Sequence, residues 1–164
     1  MTVRLSKVLL VLMAGLLVLM AGIDNILDYG TNFTAVQHVL AMDTVFPSTT
    51  SVWRAISNPA LQHAAYAVII VIELLTGVLC ILGAHRLWAA RTAPAHTFNA
   101  AKELAVAGLV CGIGLYLFGF LTIAAEWFEM WQSKDWNAQP SAFRFMACLA
   151  FVLIFLNQRD EDVV

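Results

Sequence analysis

"LQHAAYAVIIVIELLTGVLCILGA" runs from Leu61 to Ala84 and holds one charged residue, Glu73. A bilayer core of about 30 Å is crossed by about 20 apolar residues in helical form. The stretch is long enough, so it predicts a membrane-spanning helix. An acid near the bilayer centre costs about 2.5–3.5 kcal/mol on insertion scales. Glu73 is therefore expected to face the interior of a bundle. At helical spacing its neighbours are His63, Tyr66, Ile70, Thr76, Gly77, Cys80 and Ala84, the most polar stripe of that helix. Three roles fit such an acid. It can bond to a neighbouring helix, move a proton or cation, or touch a bound partner or lipid-like ligand. The first is the ordinary one.

The rest of the chain repeats the pattern. Of its 164 residues 61% are hydrophobic and 12% charged, against about 45–50% and about 25% for a soluble domain. Spans are expected at about 8–27, 61–84, 103–125 and 142–156 of a single domain. The first segment also resembles a secretory signal, with Arg4 and Lys7 before an apolar run. A small-residue cleavage pattern is poor around Met20-Ala21-Gly22, so a retained span is expected. Arg4, Lys7, Arg86, Arg91, Lys102 and Arg159 fall on one side; Arg54, Lys134 and Arg144 fall on the other. The positive-inside rule then puts both termini and the 85–102 loop in the cytoplasm. Loops 28–60 and 127–141 face outward. Pro47, Pro59 and the Ser48–Ser51 run predict irregular chain in the first of these. "FTAVQHVLAMD" (Phe33 to Asp43) predicts a short helix on the outer surface. The fold class is all-α: an antiparallel four-helix membrane bundle with an extracytoplasmic cap formed by the first loop.

Small residues mark the helix contacts. "LLVLMAG" at Leu9–Gly15 returns at Leu16–Gly22, which stacks Ala14 over Ala21 and Gly15 over Gly22. That face leads to Asp24, Asn25 and Asp28. In the third span Ala101, Ala105, Gly108, Gly112, Leu115, Gly119, Thr122 and Glu126 are spaced four and three alternately. Small residues let membrane helices approach closely. The seam predicts that Glu126 points into the bundle, and Arg144 can pair with it or with Asp28. Arg144 can also snorkel to the interface. Trp127, Trp131 and Trp136, with Trp53, suit an aromatic collar at the bilayer–water boundary.

Motifs for chemistry are scarce. Cys80, Cys111 and Cys148 each sit in an apolar run with no CxxC, which reads as packing and not as redox or zinc chemistry. His38, His63, His85 and His96 lack the facing arrangement a membrane haem needs. Asp24, Asp28, Asp43 and Glu126, with Asn25, Asn32 and His38, could gather on the outer side and hold a divalent cation. A solvated, helix-capping cluster is the commoner outcome, and no metal or other cofactor is predicted. No nucleophile motif, phosphate loop or HExxH is present. The net charge of −2 offers no field for nucleic acid. The sequence leans away from an enzyme.

Several stretches together resemble one bacterial family. They are "IDNILDYGTNFTAVQHVLAMDTVFP" (Ile23 to Pro47), "WRAI" (Trp53 to Ile56), "IIVIEL" around Glu73, Lys102, and "EWFEMWQSKDWNAQPSAFR" (Glu126 to Arg144). The family is the predicted small integral membrane proteins of domain of unknown function 2165. The resemblance implies a four-span protein of the bacterial inner membrane and supplies no reaction, cofactor or catalytic residue. Ala138 stands where a glycine would be expected after Trp136-Asn137.

Three functions remain open. One is a non-enzymatic accessory or interaction subunit of a larger membrane complex, with a membrane protein partner or a second copy of itself. Another is a small oligomeric transporter or channel for protons or cations using Glu73 and the outer acids. The last is a lipid- or quinone-binding protein with a pocket under the cap.

Overall fold

The computed structural model describes residues 1–162, and among them every regular element is helical. α1 spans Thr2–Leu27, α2 Tyr29–Ala41, α3 Pro59–Ala89, α4 Ala95–Ala100, α5 Glu103–Gly114 and α6 Gln139–Asn157. α5 continues as a π-helix over Leu115–Trp127. Short 3-10 turns occupy Ser51–Arg54 and Met130–Gln132. Among the described residues four stretches are long and apolar enough to cross a membrane: Thr2–Leu27, Pro59–Ala89, Ala95–Trp127 and Gln139–Asn157.

Local sequence explains where α3 begins. Asn58 Oδ1 accepts a hydrogen bond from Ala60 N at 2.9 Å. Pro59 takes the first helical position, where its missing N–H would have been unpaired anyway. The two faces of α3 then part company. Tyr66, Ile70, Glu73, Thr76, Gly77, Cys80 and Ala84 are buried. Val71, Leu75, Val78 and Leu82 lie exposed on the opposite face. A row of that kind is a liability in water and ordinary against lipid tails.

α3 is the centre of the bundle, with α1 against one side and α5 against another. A Cβ on Gly77 would lie 2.6 Å from Leu19 Cβ, and one on Gly83 would lie 2.5 Å from Ala105 N. Only glycine permits these approaches. Gly15 faces Cys80 and Gly22 faces Glu73, so position rises along α1 as it falls along α3. Gly108 lies against Cys80, and Gly112 against both Thr76 of α3 and Leu149 of α6. Ala14 is buried and Ala21 half-buried. α6 buries only Ala142, Leu149 and Leu156, a seven-residue repeat that makes one narrow contact edge. Its Phe143, Phe151 and Ile154 face outward.

The seam of the third span stops early. Expected to pack between helices, Gly119 would place a Cβ 3.5 Å from Leu115 of its own helix and against no neighbouring helix. Glu126, expected inside, is exposed, and Ala125 is buried in its place. The cause is the π-helix. Over Leu115–Trp127 the backbone bonds close on the fifth residue back, and Phe128 N still donates to Ile123 O at 3.0 Å at its end. More residues then fill each turn, and a register counted at helical spacing drifts off the buried face. Arg144 does not meet Glu126; it is exposed and its Nη2 donates to Ser141 Oγ at 2.8 Å.

The end of the bundle where α1 starts and α6 stops is tied by ions. Lys7 Nζ and Lys102 Nζ lie 2.6 and 2.5 Å from Asp160 Oδ2, and all three side chains are buried. Both lysines also donate to Gln158 O, at 2.6 and 2.8 Å. Arg4 donates to Arg91 O, Ala93 O and Glu161 O. The segment after α6 is thereby strapped across the starts of α1 and α5.

Candidate functional site

The opposite end of the bundle gathers the residues with chemical potential. Gly22 lets α1 run close beside Glu73, and Asn25, three residues further along α1, reaches the acid. Asn25 Nδ2 donates to Glu73 Oε2 at 2.6 Å, and Tyr116 OH donates to Glu73 Oε1 at 3.1 Å. Tyr66 OH donates to Asn25 O at 3.0 Å and approaches Asn25 Oδ1 at 3.2 Å. Three membrane-length helices thus meet on one carboxylate, and both of its oxygens are engaged. Tyr116 was not singled out by the sequence reading. It follows Leu115 of the seam by one residue, and a tyrosine in mid-span needs a partner for its hydroxyl, which was the available signal.

Above this knot α2 and the two interhelical segments build a second, smaller core from Val39, Met42, Ala125, Phe128 and Met130. Among the described residues two other than glycine carry a positive φ, Met42 and Glu129, both at 52°. The left-handed turn at Met42 ends α2 and brings Asp43 back to His38, whose Nδ1 lies 2.9 Å from both carboxylate oxygens. The turn at Glu129 aims its carboxylate at the facing loop. Ser51 Oγ and Gln132 Nε2 donate to it closely, Thr49 Oγ1 lies at 3.5 Å, and Arg54 Nη1 at 3.8 Å. Gln132 Oε1 accepts from Phe46 N and from Thr49 Oγ1, each at 2.7 Å. Glu129 and Gln132 therefore lock residues 46–54 onto the 129–132 turn. The sequence carries no mark of this lock, because its donors come from a loop without periodicity.

The tryptophans divide by environment. Trp53 and Trp127 are exposed, meet edge to face at 6.1 Å, and flank the Arg54 guanidinium at 5.5 and 4.5 Å. Trp131 is exposed against the edge of Phe46. Trp136 is half-buried and stacks on His38 at 4.7 Å. His63 stacks on Phe33 at 4.0 Å, with Nδ1 2.7 Å from Tyr29 OH. Asp24 and Asp28 are exposed. Asp24, Asp28, Asp43 and Glu126 do not converge: among the described residues no three His, Cys, Asp or Glu side chains are placed to share a metal ion.

Asp160, at the other end, was also missed, since a tail acid beyond the last span has no periodic signal. Burial pushes its carboxyl up, but the hydrogen bonds and charges of Lys102 and Lys7 more than offset this and hold it below the usual aspartate value.

These features define a small integral membrane protein with four membrane-length helices and a buried acid tied between three of them. The chain belongs to the family described as predicted small integral membrane protein (DUF2165), which matches residues 3–159. No curated protein and no solved structure matches it.

Proposed function

We propose that the protein is a non-enzymatic accessory subunit of a larger complex in the bacterial cytoplasmic membrane, with both termini in the cytoplasm and α2 outside. The observation that carries this reading is the state of Glu73. Each carboxylate oxygen is bonded to a donor of the same chain, Asn25 on one side and Tyr116 on the other. An acid held in that way joins helices and is poorly placed to pass a proton or cation along. The charge count supports the orientation, since six of the nine Lys and Arg residues fall on the side of the termini. What such a chain offers to others is surface: an α6 that is mostly bare, and the ordered end around α2.

Extraction of native membranes in a mild detergent, followed by native mass spectrometry, tests the proposal. A second membrane polypeptide in fixed ratio with this chain is the expected result. A homo-oligomer without a partner, conducting ions once reconstituted, would overturn it.

A further inference from the structure

A cavity of about 280 Å³ lies between α2, α3 and the π-helix. Pockets that enclose a whole drug-sized ligand hold about 300–1,000 Å³, so this one has room for part of a molecule. Its wall is aliphatic and aromatic, and Trp136 supplies the only side-chain N–H or O–H. A headgroup, a quinone ring or a sterol hydroxyl placed inside would leave polar atoms unpaired, which burial penalises. The part of a ligand that fits is hydrocarbon.

The mouth faces the bilayer. Val68 and Ile123 line the cavity, yet they are 56% and 38% exposed on the outer faces of two membrane-length helices. The molecules at that surface are lipids. The π-helix contributes directly, because it turns Gly119 away from the other helices and into the cavity wall. π segments recur at functional sites. We propose that the cavity holds one acyl chain of a bilayer phospholipid. The chain enters sideways between α3 and the π-helix and lies under α2, with its ester and headgroup outside in the interface. The proposal goes beyond the accessory role and does not depend on it.

The test uses the full-length protein in dioleoylphosphatidylcholine vesicles with a trace of phosphatidylcholine carrying a diazirine near the end of one acyl chain. After illumination the labelled residues are mapped. Label is expected on Ala35–Leu40 of α2, which lies outside the four membrane-length stretches, as well as on lipid-facing Phe151. Ala65→Phe and Gly119→Phe, on two different helices, each fill the cavity. Each should cut the α2 label about tenfold or more, the effect of losing a few buried methylenes, with Phe151 label unchanged. Competition on the unaltered protein keeps the test valid if a filled variant does not fold. Replacing most of the host lipid by the same phosphatidylcholine hydroxylated in mid-chain, a poorer competitor for an apolar cavity, should raise the ratio of α2 label to Phe151 label. Label confined to outer faces, α2 label that survives in folded filled variants, or a ratio unchanged in the hydroxylated host would overturn the proposal. Stronger displacement by a polyprenyl lipid would overturn the acyl assignment.

Discussion

Glu73 sits where its cost is highest and its bonds are most complete. Replacing it separates its roles. Glu73→Leu removes both acceptors and strands Asn25 Nδ2 and Tyr116 OH, at about 1–3 kcal/mol for each buried group left unpaired. Glu73→Gln keeps an acceptor, and its amide can donate to a turned Tyr116 hydroxyl. Thermal unfolding in detergent should therefore show a large loss of Tm for the leucine variant and a small one for the glutamine variant. Equal losses would contradict the knot. That Glu73 faces inward was legible in the sequence, because a mid-membrane acid has no acceptable outward position. Asn25 was legible as the end of a small-residue face. Glu129 was not: its place depends on a left-handed turn, and nothing in "WFEMW" announces one.

At the scale of elements, the π-helix separates what the sequence could give from what it could not. Up to Gly112 the seam of small residues is in contact, since α-helical spacing holds there. From Leu115 the turns widen, and an apolar run reads the same in either geometry. Two glycines expose the difference. A Cβ at Gly83 would collide with the Ala105 backbone at 2.5 Å, whereas one at Gly119 has open space beyond Leu115. Gly83→Ala should destabilise by about 1–3 kcal/mol, as overpacking does. Gly119→Ala should be neutral or stabilise by up to about 1 kcal/mol, through the lost freedom of the unfolded chain. Melting curves of the two variants side by side check this, and a reversed order would refute the π register. α2 was legible in outline from "FTAVQHVLAMD". Its earlier start at Tyr29 was hidden, because a single non-helical residue, Asp28 (φ −113°, ψ 51°), separates it from α1.

Over the whole molecule, two polar ties close the two ends of the bundle, and each depends on a carboxylate. At the terminal end Asp160 must be ionised to hold Lys7 and Lys102. Its folded pKa is depressed, so its contribution is present above the unfolded value of about 3.9 and is lost as pH falls through the lower folded value. Tm should hold steady from neutral pH to about 4 and drop below that. Asp160→Asn leaves two buried lysines without a counter-charge, a loss of about 3–5 kcal/mol at neutral pH, and should flatten the acid-induced drop. Four spans and an inward acid could be read from composition and period. The two ties could not, since they join residues far apart in the chain through loops and a tail. On the proposed function the buried acid binds the helices together and carries nothing. Proton flux into pH-jumped liposomes is the measurement that tests this. The wild-type protein and Glu73→Gln should both leak no faster than empty vesicles. Wild-type flux that disappears in Glu73→Gln, with the fold intact, would contradict it.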